Sequence, residues 1–332
     1  ISLIPASMHS SKIYSIPGFP LIGKSSFGKT LVKGNKRVPK PASGIIACLI
    51  IQMFYLLKCF IQMKILLNNN DLNEALYGIS NLGFVPTMGS LHKGHISLIK
   101  KSLKVCNKTI VSIFINPSQF NSRKDFIKYP RNYKKDLVIL KKLKVDYVYM
   151  PKKRNIYDNA KKCKIKINKQ DKILCAKYRK GHFEGVIDIM DRLTTKIKPD
   201  KIFMGDKDFQ QVYLVKKYIK KKFNSKIISC KTVRGFSKIA LSSRNLLLTK
   251  MELDKAGKLA RDIIFLKKKF KKKKIFKQFI DNKKKELAHK YNVSIEYFDL
   301  RKLSNLKRSN SVKDSKFFIA YYMNKVRLID NI

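Results

Sequence analysis

"FVPTMGSLHKGH", residues 84–95, decides how this chain is read. Its apolar opening closes on Pro86 and Thr87, as the end of a buried strand does. Met88 and Gly89 follow, then His92 and His95 with Gly94 between them. The chain has only five histidines, so two on one turn call for a reason. A metal, a phosphate and chance are the candidates. Beyond them "HISLIKKSLKVC" (95–106) places Ile96, Ile99 and Leu103 on one helical face.

The same alternation runs outward from Met63. "MKILLNNNDLNEALYG" reads as strand, polar turn and short helix, and "GFVPT" (83–87) as the next strand. "TIVSIFINP" (109–117) is a buried strand closed by Pro117, "YKKDLVILKKL" (133–143) a helix and "DYVYMP" (146–151) a strand. After a lysine-rich excursion (152–180) come the helix "FEGVIDIMDRLTTKI" (183–197) and the strand "KIFMG" (201–205). The helix "DFQQVYLVKKYIKKKF" (208–223) and the strand "KIISCKTV" (226–233) complete the run. Strands alternating with helices across short turns predict an α/β fold, a parallel sheet with helices on both faces. Past Leu248 the pattern changes to two lysine-rich helices and the short strands "VSIEYFDL", "KFFIAYY" and "KVRLIDN". That is the pattern of a smaller C-terminal α+β domain, so residues 63–248 and 249–332 read as two domains.

A parallel sheet of this kind takes its ligand beyond the carboxyl ends of the strands, where helix N-termini point free N–H groups. The polar residues just past the strand ends therefore carry the chemistry. Thr87, Met88, Gly89, His92 and His95 follow one strand, and Asn116, Gln119 and Phe120 the next. Asp206, Lys207, Asp208 and Gln211 follow "KIFMG", and Ser242, Ser243 and Arg244 follow "TVRG". Gly89 and Gly94 let a nucleotide approach the backbone. His92 and His95 can donate N–H to a phosphate that gains charge during displacement. Lys207, the two serines and Arg244 suit phosphate oxygens. Asp206 and Asp208 suit ribose hydroxyls or a Mg²⁺ held through water. No P-loop is present, so attack at the α-phosphate with release of pyrophosphate fits better than γ-phosphoryl transfer.

Each reading has a plainer rival. An isolated H-x-G-H is a weak signal, and His182 in "YRKGHFEGV" reads equally well as a buried structural histidine. Gln119 and Gln211 read otherwise as surface amides, while Phe114, Phe120, Phe203 and Phe209 read as core. His9 and His289 lie outside every cluster. Zinc is disfavoured, because no third His, Cys or paired carboxylate stands at helical spacing from the pair.

Composition sets outer bounds. Lys and Arg number 74 against 22 Asp and Glu, a formal charge of +52, which taken alone points to nucleic acid or an anionic membrane. Only 12 of the 74 are arginine, however, and the lysines are spread through nearly every segment. With Ile and Asn abundant and Trp absent, solvated lysine faces in an AT-rich coding background account for the charge, and no specific nucleic-acid partner is expected. Cys48, Cys59, Cys106, Cys163, Cys175 and Cys230 form no C-x-x-C pair, which reads as reduced thiols in a cytoplasmic protein. Residues 44–57 form an apolar run of fourteen, short of the ~20 a spanning helix needs, so no membrane role is expected. Character changes at Met63, which reads as the start of the folded part, with 1–62 as an extension.

On these motifs the chain resembles the pantothenate synthetases, or pantoate–β-alanine ligases. "PTMGSLHKGH", "SIFINPSQF", "YPR", "HFEGV", "GDKDFQQ" and "TVRGFSKIALSSRN" occur in family order from about Met63 to "VRLIDNI". The resemblance implies a Rossmann-like domain of the H-x-G-H nucleotidylyltransferase kind with a small C-terminal lid-like domain, usually as a homodimer. It implies ATP and Mg²⁺, with pantoate converted to pantoyl adenylate and the amine of β-alanine then displacing AMP. Carried onto this sequence, Met88, Gly89, Ser90, Leu91, His92, Lys93, Gly94 and His95 resemble the first ATP segment, with His95 at the proton-donor position. Gly205, Asp206, Lys207 and Asp208 resemble the second and Leu241, Ser242, Ser243 and Arg244 the mobile loop, with Val233 a further ATP contact. The catalytic set is then His95, His92, Lys207 and Arg244. Gln119 matches the glutamine that contacts pantoate and β-alanine, and Gln211 the second pantoate glutamine. Three positions depart from the pattern. Asp206 stands where Glu is common, Lys93 replaces an acid, and Lys135 stands where an acid often precedes Asp136, which puts the Mg²⁺ surroundings in doubt. Another H-x-G-H adenylyltransferase would keep the ATP residues without needing Gln119 and Gln211, and a basic nucleic-acid-binding protein would rest on charge alone.

Overall fold

Leu82–Thr87 (β2) and Lys108–Ile113 (β3) are buried at nearly every residue. That is how strands covered on both faces must look. In the computed structural model, which describes residues 63–157, 166–271 and 273–332, the two pair in parallel from Leu82↔Lys108 to Thr87↔Ile113. They form the centre of a six-stranded sheet completed by Lys64–Leu66 (β1), Tyr147–Tyr149 (β4), Lys201–Gly205 (β5) and Lys226–Cys230 (β6). The order is β1-β4-β3-β2-β5-β6 and every pairing is parallel. From β2 the chain steps through β3 to β4 on one side, then crosses to β5 and β6 on the other. The direction therefore reverses beside β2, and a crevice opens there at the carboxyl ends of the strands.

Helix Lys93–Val105 closes one face of this centre. Its buried residues are Leu98, Ile99 and Ser102, whereas Ile96 and Leu103 are only half-buried. The inward face is thus rotated from the Ile96–Ile99–Leu103 stripe expected from periodicity. Ser102 takes a central place because its hydroxyl pairs with that of buried Thr109 at 2.8 Å. A small polar residue satisfied in this way is invisible to an apolar pattern. Helix His182–Ile197, buried along most of its length, packs on the other side with Phe183, Val186, Ile187 and Met190 in the core.

Ser294–Lys302 (β7), Ser315–Met323 (β8) and Val326–Asn331 (β9) make a separate antiparallel sheet, backed by helices Lys250–Lys269 and Lys277–Lys290. Its contact with the first layer is substantial. Tyr297, Leu306, Phe318 and Ala320 share a core with residues of the parallel sheet. Arg234 forks onto Asp330 at 2.6 and 2.9 Å. The side chain of Asn331 donates to the carbonyls of Asp206 and Lys207 at 2.7 and 2.8 Å, so the last strand props the turn after β5.

Several boundaries differ from the sequence reading. β3 ends at Ile113, and Pro117–Gln119 forms a separate 3-10 turn capped by the Asn116 side chain. β6 stops at Cys230 and helix Phe209–Ile219 stops short of Phe223. The excursion 152–180 holds short helical turns at Lys153–Ile156 and Cys175–Tyr178. The extension 1–62, its apolar run, His9, Cys48, Cys59 and Cys163 lie outside the described residues. Among the described residues no helix is long and apolar enough to cross a membrane.

Candidate active site

The cleft at the carboxyl ends of β2 and β5 has a volume of about 230 Å³. Of the first segment, Met88, His92, Gly94 and His95 line it. Gly205, Lys207, Asp208 and Gln211 line it from β5, Val233 and Leu241–Arg244 from the loop after β6, and Gln119 from the turn after β3. Four chain regions far apart in sequence therefore meet at one place.

The loop between β2 and helix Lys93–Val105 is held by a residue that the sequence reading did not assign. Asp136 is buried, and its two carboxylate oxygens accept the N–H groups of Ser90 and Leu91, both at 2.7 Å. Burial raises its pKa, against the lowering effect of those two N–H groups. Gly89 and Ser90 take left-handed backbone conformations, φ +77° and +52°. The Ser243 hydroxyl donates to the Ser90 carbonyl at 3.1 Å and fastens the later serine turn to this loop. The N–H groups of Ser90 and Leu91 are thus already taken, and Leu91 packs in the core. Gly89, Ser90, Leu91 and Lys93 of the expected ATP segment do not line the cleft.

His92 and His95 are locked by backbone donors. Gly94 N–H donates to His92 Nδ1 at 3.0 Å, and His92 N–H donates to His95 Nδ1 at 3.3 Å. A backbone N–H can only donate, so each Nδ1 is the unprotonated nitrogen and each Nε2 carries the hydrogen. Glycine is required at 94, since a Cβ there would lie 2.6 Å from His92 Cε1. The rings stand 4.1 Å apart. Burial, reinforced by Lys207, pushes His92 down to about 4. Burial, with His92 and Lys207 adding to it, pushes His95 down to about 3. With pKa values this low, both rings act as neutral N–H donors near neutral pH.

His182 is depressed to about 3, by burial first and then by Arg179. A histidine with a lowered folded pKa stabilises the fold fully above its unfolded value, near 6.5, and progressively less as pH falls toward the folded value. Each differential proton is worth about 1.4 kcal/mol per pH unit. The melting temperature should therefore begin to fall between pH 6.5 and about 4, ahead of the carboxylate range. Calorimetry across that interval checks this. A flat melting temperature down to pH 4 would show that these rings are not buried as neutral species.

The charged residues divide unequally. Lys207 Nζ lies 3.3 Å from Asp208, and both face the cleft. Asp206 does not line it. Its carboxylate takes the Ser229 hydroxyl and lies 3.8 Å from Lys316. Arg244 is held by Asp125 at 2.9 Å. Phe120, expected in the core, lines the cleft instead, edge-on to Phe126 and Tyr129. Gln119 and Gln211 both face it, with side-chain amides that make no hydrogen bond among the described residues. The neighbouring Gln210 is the structural one, buried and donating to the carbonyls of Asp171 and Ile173. His182 faces the cleft too.

Among the described residues no three His, Cys, Asp or Glu side chains converge as a metal cage. Asp136, Asp206 and Asp125 are committed to protein partners, which leaves Asp208 as a cleft carboxylate. That set fits Mg²⁺ carried in on nucleotide phosphates with its own waters, the usual mode for this ion.

Residues 64–332 match the family model described as pantoate-beta-alanine ligase. The chain belongs to the pantoate–β-alanine ligase family. A relative named pantothenate synthetase, from Endomicrobium trichonymphae, is 38% identical over 278 residues, 81% of this chain and 97% of the relative. The crystal structure of the Francisella tularensis pantoate-beta-alanine ligase, complexed with beta-gamma ATP and beta-alanine, is 34% identical with a TM-score of 0.69. It matches 82% of this chain and 97% of its own. The crystal structure of the Thermus thermophilus pantothenate synthetase is 26% identical with a TM-score of 0.75, over 81% and 99% of the two chains. As a member of this ligase family the chain carries the six-stranded parallel sheet and the smaller antiparallel sheet of an α/β enzyme.

Proposed function

We propose that this ligase joins pantoate to β-alanine with ATP, giving pantothenate, AMP and pyrophosphate through a bound pantoyl adenylate. The observation that carries this reading is the pair of unpartnered amides, Gln119 and Gln211, facing the same cleft as His92 and His95. A nucleotide site alone needs the histidines. A hydroxy-acid beside it needs amides that both donate and accept.

In the first step a carboxylate oxygen of pantoate attacks the α-phosphorus and the bond to the β-phosphate oxygen breaks, so pyrophosphate leaves. The Nε2–H groups of His92 and His95 and the Lys207 ammonium stabilise charge growing on the phosphates. Arg244 joins them on exchanging Asp125 for a phosphate. Gln119 and Gln211 orient the acid. Mg²⁺, when bound through the phosphates beside Asp208, supplies further charge neutralisation. In the second step the β-alanine nitrogen attacks the activated carbonyl, the C–O bond breaks with its electron pair leaving on the AMP phosphate, and the nitrogen's proton passes to that phosphate or to water. The division at Leu248 belongs to this reading, with 249–332 as a lid-like part, as does a cytoplasmic homodimer.

The test is isotope exchange. With MgATP and pantoate but no β-alanine, labelled pyrophosphate should enter ATP, and β-alanine should then release pantothenate with AMP. Exchange supported equally by an unrelated acid would favour a different H-x-G-H adenylyltransferase. ADP as product, or no exchange by the folded enzyme, would rule out the two-step route.

A further inference from the structure

The backbone of Gln119 is gripped as firmly as its amide is free. Its carbonyl oxygen accepts from His182 Nδ1 at 2.6 Å and from Arg179 Nη2 at 3.0 Å. Because a carbonyl only accepts, His182 Nδ1 must carry the ring proton. Because a guanidinium only donates, His182 Nε2, 2.8 Å from Arg179 Nη1, must be the bare acceptor. The three groups thus admit one proton arrangement, a closed triangle around a single carbonyl. Arg179 is fixed in turn by Asn121, whose Oδ1 accepts from its Nε at 3.0 Å. The rest of the turn is docked on the same helix: Asn116 Nδ2 donates to the Gly185 carbonyl at 3.3 Å, and a Cβ on Gly185 would collide with the Ser118 carbonyl.

Such a clamp has no evident purpose for the fold alone. Pro117–Gln119 is a one-turn connection with no buried residue, and none of its side chains belongs to the core. Arg179 has no carboxylate within ion-pair distance among the described residues, so its cation rests on this carbonyl, this imidazole and the Asn121 amide oxygen. We propose that His182 and Arg179 are positioning residues for Gln119, holding its carbonyl so that its amide meets the acid substrate in one pose. This rests on the reading of Gln119 as a contact to the acid. A pre-fixed amide binds without first ordering its own turn, so losing the clamp weakens acid binding without touching the phosphates.

A double-mutant cycle tests this on the full chain. Gln119→Ala and His182→Leu should each raise the KM for pantoate about 10-fold or more, the loss of a hydrogen bond to a charged group, with the KM for ATP nearly unchanged. The double variant should be no worse than Gln119→Ala alone, because the clamp acts through that amide. His182→Gln, whose amide can both donate to the carbonyl and accept from Arg179, should recover most of the loss. If His182→Leu does not fold, Arg179→Lys replaces it in the cycle, since one ammonium cannot span both partners. Losses that multiply, or an unchanged pantoate KM in His182→Leu beside a raised one in Gln119→Ala, overturn the clamp alone. An unchanged pantoate KM in Gln119→Ala overturns the reading of Gln119 and the clamp with it.

Discussion

Replacing His95 by alanine is expected to lower kcat for adenylate formation by about 10²–10³-fold, the cost of one preorganised donor to a developing charge. The magnitude follows from how the ring is prepared. His95 Nδ1 is occupied by the His92 N–H, so Nε2–H is the donor and no rotation or tautomer exchange precedes reaction. The imidazole is neutral, because burial and the neighbouring His92 and Lys207 oppose its protonation. A neutral donor gives little to ground-state ATP, whose phosphates Lys207 and Arg244 already attract. Its contribution grows as charge moves onto the leaving pyrophosphate. The KM values for ATP and pantoate should accordingly move only a few-fold while kcat falls. Single-turnover formation of adenylate separates the two effects. A rise in the KM for ATP as large as the fall in kcat would make His95 a ground-state binding residue instead.

How much of this is legible in the sequence differs between fold and site. The reading of β5 has its observed bounds, because "KIFMG" is an apolar run closed by a glycine. The reading of β3 runs four residues too long, since "FINP" continues the apolar signal while the backbone has already turned toward Asn116. The histidine pair, Lys207, Gln119 and Gln211 are legible because they follow strand ends, and strand ends point at the cleft. Asp206 follows the same strand end but does not line the cleft. It lies between two cleft residues, but Ser229 and Lys316 draw its side chain away. Arg179's grip on the Gln119 carbonyl and Asp125's on Arg244 escape the sequence because those partners are 60 and 119 residues distant, respectively. Sequence spacing carries no trace of such pairs. His182 stays open at that level for the reason that now defines it: burial and a specific partner look alike until the partner is seen.

The residue with the largest expected effect on stability is one whose surroundings the sequence tied to the metal. Asp136→Ala should destabilise the enzyme by about 2–5 kcal/mol, because two buried N–H groups, those of Ser90 and Leu91, lose their acceptors together. Neither N–H can turn to water without undoing the left-handed pair Gly89–Ser90, and Ser243 holds the Ser90 carbonyl from the other side. The damage should therefore spread through the loop to His92 and weaken ATP binding in whatever fraction folds. Asp136→Asn is nearly isosteric but keeps one acceptor and turns an NH2 against the second N–H, so it should also destabilise, although less. Denaturant titration of both variants beside the parent gives the values. A metal ligand would behave differently, shifting the Mg²⁺ dependence of turnover while leaving the unfolding midpoint in place. That outcome for Asp136→Ala would make Asp136 a metal ligand and leave the loop without its anchor. The expected outcome places its carboxylate under the nucleotide loop, which is why Lys135 can stand beside it without cost to that loop.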